Sequence, residues 1–412
     1  MKRIYIFNTL LIIALLVIYF IEYRNHTREE AINVGILFSE SGSMAGSERV
    51  VMRATLLAIE EINQQGGVKG RPVIPIIYDA ESKIEKYPFL AKKMIIEDKV
   101  DVIFGCWTSS SRKLVKPIVE EYNKLLIYSV HSEGVEESQN IIYLGSVPNQ
   151  QLVPAAFWML QHYGKKAYFV GSEYIAPYVS HEILAHSIEI QGGEMLGEHY
   201  FPLGGSDVDR VIEDIIQKKP DFIFSVINGS TNTVFFQRLY ELTVAKGIRR
   251  PPVMSFSLPS SAINKIGMSK MVGDLATWSY FITEDNLKNR EFLNAYMKEY
   301  GSVDEISSPA VTAYSGVYLW AQAMNHSPAA EGSSVRDYIL DQSIASPAGA
   351  IYVDPNSAYA WRTVEIAEIT QKEQYNIVWR SEAPIEPIVY PDFKTKAEWN
   401  FFEYKYYLKH KY

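Results

Sequence analysis

The stretch VIFGCWTSSSRK, residues 102–113, decides the fold, because a hydrophobic strand ends there and a helix begins at once. The strand leads into Cys106 and Trp107, and four hydroxyl residues follow, Thr108 to Ser111. Each hydroxyl can cap the helix, whose first N–H groups attract a partial negative charge. Trp107 would supply a flat wall for stacking. The stretch therefore predicts a small-ligand site, or else an ordinary capped helix with a tryptophan in the core.

Short apolar runs alternate with helical stretches on both sides of this segment. Before Pro148 the strand candidates are 32–37, 73–78, 101–105 and 125–130, and the helix candidates are 47–65, 87–98 and 110–122. Later strand candidates are 166–171, 194–200, 221–227, 252–257, 350–354 and 363–369, and later helix candidates are 150–163, 174–191, 207–218, 231–245, 288–300, 309–325 and 334–341. Nearly continuous β-branched runs separated by helices are typical of parallel sheets buried on both faces. The sequence predicts an α/β protein with two Rossmann-like lobes in series.

Polar and aromatic residues collect just after the strand candidates. They are Tyr128 and His131, Glu173 and Tyr174, and Asn228, Ser230 and Thr231. Open α/β sheets bind ligands beyond the carboxyl ends of their strands, so two facing lobes would bring these loops together across one cleft. Taken alone, a histidine such as His131 is more often an ordinary loop histidine with its hydrogen bonds satisfied.

The composition excludes several classes of protein. The 412 residues carry a formal charge of −8, whereas nucleic-acid binding favours a basic surface. Cys106 is the only cysteine, which excludes an internal disulfide and a Cys-based metal site. The motifs H-E-x-x-H, G-x-S-x-G and G-x-x-x-x-G-K-[ST] are absent. We expect no enzyme, no cofactor, no metal and no nucleic-acid partner.

The two ends of the chain point to a membrane and to a surface contact. Lys2 and Arg3 precede an apolar run, residues 4–21, that is about long enough to cross a bilayer. A basic start is typical of a cytoplasmic N-terminus, so we expect an uncleaved signal-anchor with the remainder in the periplasm. A cleaved signal peptide is the alternative. The aromatic and basic tail NFFEYKYYLKHKY, residues 400–412, would pack on a lobe or lie at a membrane surface.

The chain resembles the urea and short-chain amide branch of the type I periplasmic binding proteins. The matching stretches cover about residues 32–390 and are VGILFSESGSMAGSE, AIEEINQQGGVKGRPV, DKVDVIFGCWTSSSRK, VPNQQLVPA, YFPLGGSDV, PVMSFS, YSGVYLWAQA and EIAEI. The resemblance implies two lobes joined by three crossings of the chain. It divides the chain into 1–31 as signal-anchor and stalk, 32–147 with 283–343 as the first lobe, 148–282 with 344–390 as the second lobe, and 391–412 as the tail.

The resemblance also implies a pocket. By position it corresponds to Trp107, Thr108, Ser109, Tyr128, His131 and Tyr174, to which the strand-end argument adds Asn228 and Ser230. Relatives commonly carry YPxxYEG where this chain has YSVHSEG, and urea binders commonly carry NGDSN where it has NGSTN. Ser230 thus replaces an Asp that could accept from an amide NH₂, so the resemblance implies the fold more firmly than the exact ligand.

Two functions follow from the resemblance. In the first, the protein captures a small polar solute, such as urea or a short amide, for an ABC permease. In the second, it is a membrane-tethered sensor that signals to a separate partner protein. Both require closure of two lobes on a solute.

Overall fold

The computed structural model describes residues 31–329, 332–372 and 375–410. Within these ranges the chain forms two α/β lobes and a C-terminal helix. The expected membrane helix, residues 4–21, lies outside them. Among the helices they contain, none has the length and apolar character needed to cross a bilayer.

The first lobe begins with alternating strands and helices. They are β1 (Ile32–Phe38), α1 (Ala45–Gln64), β2 (Val73–Asp79), α2 (Lys86–Ile96), β3 (Val102–Gly105), α3 (Ser109–Glu121), β4 (Leu125–Tyr128) and β5 (Ile141–Tyr143). The five strands form one parallel sheet in the order β2-β1-β3-β4-β5. α1 stops at the predicted glycine pair, where Gly67 has φ +77° and an added Cβ would lie 2.0 Å from the Arg71 carbonyl oxygen.

The second lobe repeats the pattern after a short 3-10 helix, Pro148–Gln150. Its elements are α4 (Leu152–His162), β6 (Lys166–Ser172), α5 (Ile175–Glu189), β7 (Glu194–Phe201), α6 (Asp209–Lys218), β8 (Phe222–Val226), α7 (Thr231–Ala245), β9 (Val253–Ser255), α8 (Ser260–Ile266), a 3-10 helix (Met268–Lys270) and β10 (Leu275–Trp278).

The chain then returns to the first lobe and crosses once more. The returning elements are α9 (Leu287–Tyr300), α10 (Ser308–His326), α11 (Gly332–Ile339), β11 (Ser343–Ser346), β12 (Gly349–Val353) and β13 (Ala360–Trp361), followed by β14 (Glu365–Glu368) and β15 (Asn376–Arg380). β11 to β13 form a small antiparallel sheet. β14 and β15 extend the second sheet antiparallel, in the order β15-β14-β10-β9-β8-β6-β7.

The position of the third crossing corrects the expected lobe boundary. Residues 344–361 were expected in the second lobe, but Ile351, Val353 and Tyr359 are buried in the hydrophobic core of the first. The ring of Tyr359 stacks on Tyr143 of β5 at a centroid distance of 4.1 Å. The chain therefore re-enters the second lobe only at β14. A strand's apolar pattern shows that it is buried, but does not show which sheet it joins.

The tail forms a helix, α12 (Lys396–His410), that packs on the second lobe. Trp399 is fully buried in that core, and its Nε1–H donates to the carbonyl oxygen of Pro391 at 2.9 Å. From the same helix Glu403 pairs with Lys113 of the first lobe at 2.9 Å. The helix therefore contacts both lobes.

Candidate functional site

The candidate site lies between the lobes, at the carboxyl edges of both sheets. Five of the predicted residues, Trp107, Ser109, Tyr128, His131 and Tyr174, line one cavity. Its free volume is about 10 Å³, which is room for about one water molecule. The lobes are thus closed on a very small space.

Residues 102–113 contain both a helix cap and part of the cavity wall. Thr108 is the N-cap of α3, with its Oγ1 accepting the backbone N–H of Ser111 at 3.1 Å, and it is not among the residues that line the cavity. Trp107 does line it and is only 3% exposed. Cys106 lies between the end of β3 and Trp107 and has φ +67°, a conformation that is uncommon for a residue with a side chain. Strained backbone of this kind is often found at functional sites.

A chain of hydrogen bonds crosses from one lobe to the other. The hydroxyl of Tyr128 donates to the carbonyl oxygen of Trp107 at 2.6 Å, which positions the indole. The indole Nε1–H donates to Oδ1 of Asn228 in the second lobe at 3.1 Å. Asn228 Nδ2 in turn donates to the hydroxyl oxygen of Tyr174 at 2.9 Å. Because that oxygen accepts, the Tyr174 O–H remains able to donate to a solute.

A second contact between the lobes lies at the rim. The backbone N–H of Ser230 donates to the carbonyl oxygen of Ser43 at 3.2 Å. The neighbouring Gly229 has φ +67°, and an added Cβ would lie 2.9 Å from the same oxygen, so glycine permits this close approach. The side chain of Ser230 is exposed and is not part of the cavity lining. The Asp-to-Ser difference noted in the sequence therefore falls at the rim.

The Ser109 hydroxyl is engaged inside the first lobe. It donates to a carboxylate oxygen of Glu133 and accepts from Nη1 of Arg112 at 3.2 Å. The guanidinium of Arg112 is fully buried, and its Nε donates to Glu136 at 2.8 Å. Burial disfavours this charge, but Glu136 and Glu133 outweigh it and raise the pKa of Arg112. The Ser109 hydroxyl therefore stabilises the wall of the cavity through bonds within the first lobe, whereas a direct hydrogen bond to a ligand was expected.

His131 presents an unused nitrogen. Its Nδ1 is buried and has no hydrogen-bond partner among the described residues. The ring packs edge-on against Trp278 at a centroid distance of 5.2 Å. Burial, and then the charge of Arg112, lower the pKa of His131 to about 4, so the ring is neutral at pH 7. A neutral imidazole nitrogen can donate to or accept from a solute, according to its tautomer.

The structure adds residues that the sequence argument did not single out. The further residues of the lining are Val130, Ser132, Glu133, Gln151, Leu152, Ala176, Ser180, Val226 and Phe256. Gln151 comes from the first crossing, and its Nε2 donates to the carbonyl oxygens of Phe256 and Thr277 at 3.1 and 2.7 Å. Its Oε1 makes no hydrogen bond to a described residue. The strand-end rule could have found Phe256, which directly follows β9.

Comparisons with known proteins agree with this architecture. A family model described as "Periplasmic binding protein domain" matches residues 32–396. The Leu/Ile/Val-binding protein homolog 6 of Brucella suis biovar 1 (strain 1330) is 20% identical over 329 residues, 75% of this chain and 81% of that protein.

Two solved structures share the fold. The solute binding protein of an ABC transporter from Rhodopseudomonas palustris BisB5, in complex with 3,4-dihydroxybenzoic acid, has a TM-score of 0.77 at 22% identity and covers 87% of this chain and 99% of its own. A leucine binding protein from Thermotoga maritima MSB8 has a TM-score of 0.75 at 16% identity and covers 85% and 98%.

These relatives are solute-binding proteins and not enzymes. The matched region contains both large sheets, all three crossings and the cavity, and it ends where α12 begins. The chain belongs to the type I periplasmic binding proteins, which are extracytoplasmic and bind small solutes between two lobes.

Proposed function

We propose that this chain is the solute-binding component of an ABC transporter and that its cleft captures a small, planar, neutral amide of the urea class. The observation that carries the proposal is the closed interlobe cavity, which has about 10 Å³ of free volume between an indole, a phenol and an imidazole. The transport role is supported by relatives that are themselves named as transporter components.

The size of the cavity favours a solute of a few non-hydrogen atoms. Pockets for drug-sized ligands measure about 300–1,000 Å³, far more than is free here. A benzoate or a leucine would have to hold the lobes apart and break the Trp107–Asn228 hydrogen bond, which is 3.1 Å long in the closed form. Urea, formamide and acetamide require the smallest opening.

The polar groups of the cavity match an amide. The Tyr174 O–H can donate to the solute C=O, while Oε1 of Gln151 and Nδ1 of His131 can accept from its NH₂. The side chains of Trp107 and Phe256 provide apolar walls for a flat molecule. The lining also contains Glu133, but its carboxylate is already bound by Arg112 and Ser109, so it is not free to pair with a cationic solute.

Thermal unfolding of the full-length chain in mild detergent tests the proposal. The solutes are millimolar urea, formamide and acetamide, compared with benzoate and leucine. At a solute concentration of about 100 Kd, binding increases the free energy of unfolding by about 2.7 kcal/mol, which raises Tm by roughly 5–10 °C for a lobe of this size. Stabilisation by benzoate or leucine and by none of the amides would refute the amide assignment while keeping the solute-binding role.

A pair of tyrosine variants localises the effect. Tyr174→Phe removes the proposed donor to the solute, and we expect it to weaken binding by about 0.5–1.5 kcal/mol. Tyr200→Phe removes a hydroxyl that donates to Glu198 at 3.0 Å outside the cavity, and should leave the affinity unchanged. Equal affinities for the two variants would place the solute elsewhere.

A further inference from the structure

The C-terminal helix α12 is apolar on two opposite sides. Its inner side packs on the core of the second lobe through Trp399, Phe402 and Tyr406. Its outer side carries three large exposed residues, which are Phe401, Tyr404 and Leu408, at 56%, 57% and 62% exposure. Their spacing of three and four residues places them on one stripe of the helix, which we call the outer stripe. A helix that is apolar on both sides is normally covered on both sides.

The outer stripe lies outside the solute-binding domain. The family model ends at residue 396, where α12 begins, and the stripe follows it. None of its residues lines the cavity between the lobes. The stripe is therefore an addition to the two-lobed body, and capture of the solute does not explain why it is apolar.

Positive charge accompanies the outer stripe. Lys405 and Lys409 are exposed on the same helix, and Nζ of Lys405 lies 4.4 Å from the centroid of the Phe401 ring. The two glutamates of α12 are engaged elsewhere. Glu403 pairs with Lys113 of the first lobe, and Glu398 accepts from the backbone N–H of Thr395 at the start of the helix. Exposed aromatic and leucine side chains beside lysines are typical of helices that lie in the interface of an anionic bilayer. Two copies of α12 packed stripe to stripe would bring their lysines together.

The other end of the chain gives a reason for a bilayer to be near. The apolar run 4–21 stands ten residues before β1. Ten fully extended residues span at most about 35 Å. With that run in a bilayer, as its sequence predicts, the folded lobes stay close to the membrane surface. A tether of this length makes even a weak surface contact effective, because the contact becomes intramolecular.

We propose that the outer stripe of α12 lies on the surface of an anionic lipid bilayer. Phe401, Tyr404 and Leu408 would enter the interfacial region, and Lys405 and Lys409 would face the lipid phosphates. The inner side of α12 would remain packed on the second lobe. The contact would thus fix the orientation of the lobes relative to the membrane, and it does not depend on which solute the cleft binds.

Two labelled positions test the contact in the full-length chain, held in lipid nanodiscs of phosphatidylglycerol. Leu408→Cys, on the stripe, and Val244→Cys, 60% exposed on α7, receive the same environment-sensitive fluorophore. α7 packs in the other hydrophobic core of the second lobe. Cys106 is fully buried, so the label enters at the introduced cysteine. We expect spin-labelled lipid to quench the probe at 408 and iodide to quench the probe at 244.

Charge variants distinguish a bilayer from other occupants. Lys405→Glu with Lys409→Glu should lower the ratio of docked to undocked chain, read from the lipid quenching, at least about tenfold, because each lysine adds its own attraction to the anionic surface. Lys246→Glu with Lys298→Glu, at two exposed lysines elsewhere, changes the net charge equally and should leave the ratio unchanged.

Three results would overturn the proposal. The first is equal quenching by iodide at positions 408 and 244. The second is protection at 408 that survives the charge reversal, which would show that an anionic surface is not what covers the stripe. The third is protection that occurs only in nanodiscs holding two chains, which would identify a second copy as the occupant.

Discussion

Replacing Asn228 by alanine should weaken solute binding while leaving both lobes folded. The change removes the acceptor of the Trp107 indole N–H, a bond of 3.1 Å that joins the lobes. In the closed form Trp107 is 3% exposed, so its N–H would be buried without a partner, at a cost of about 1–3 kcal/mol. In the open form the same group reaches water and the cost disappears. The closed form therefore loses about 1–3 kcal/mol, which weakens binding by about 5- to 150-fold.

The assay is isothermal titration of the full-length chain with whichever small amide stabilises the wild type, together with small-angle scattering of the unliganded protein. Asn228→Ala should show the weaker affinity and the larger radius of gyration. Asn232→Ala is the matched control, because Asn232 is buried in the same lobe and its side chain donates to the carbonyl oxygen of Ile227, in that lobe, at 2.6 Å. It should lower Tm and leave the affinity unchanged. An unaltered affinity in Asn228→Ala, or an equal loss in Asn232→Ala, would refute the reasoning.

Three further predictions concern stability, each measured by thermal unfolding. Burial, and then Arg112, hold the pKa of His131 at about 4, below its ordinary 6.5. The unfolded chain therefore binds this proton more readily than the folded chain. The contribution of His131 to the free energy of unfolding is complete above pH 6.5 and decreases by up to about 3 kcal/mol as the pH drops to 4. His131→Gln should remove that slope, and an unchanged pH profile would contradict it. Glu136→Gln removes one of the carboxylates that pair with the buried Arg112 and should lower the free energy of unfolding by about 3–5 kcal/mol. A loss near zero would show that other groups compensate the charge of Arg112. Trp399→Ala leaves a cavity at a fully buried position of α12 and should lower the free energy of unfolding by about 3–5 kcal/mol. Phe401→Ala, at an exposed position of the same helix, should lower it little. Equal losses would mean that the helix does not pack as described.

The alternation of strands and helices could be predicted from the sequence because buried parallel strands are long apolar runs. β1 to β4 and β6 to β9 were all found in this way. β5 and β10 were not predicted, and length alone does not explain this, because β9 is as short as β5. The third crossing was also misplaced. The segment of β12 has the pattern of a buried strand, and only its contact with the first core shows where it belongs.

The gathering of the candidate residues at one place was predicted because strand ends of parallel sheets meet at one edge. That rule brought Trp107, Tyr128 and Tyr174 together although they are far apart in sequence. It failed for the Ser109 hydroxyl, because nothing in the sequence shows that Glu133, 24 residues later, takes up that group. It also missed Gln151, which lies on a crossing and follows no strand of the sheet directly.

Contacts between protein groups, and not only contacts to a solute, stabilise the closed form. Arg112, Glu133 and Ser109 hold the first-lobe wall rigid through bonds made entirely within that lobe. The Trp107–Asn228 and Ser43–Ser230 hydrogen bonds then join the two lobes directly. Any contact that stabilises the closed form reduces the share of binding energy spent on closing, because the apparent affinity is scaled by the fraction of competent protein. Breaking either contact should therefore lower the affinity even for a solute that never touches the residue that was changed.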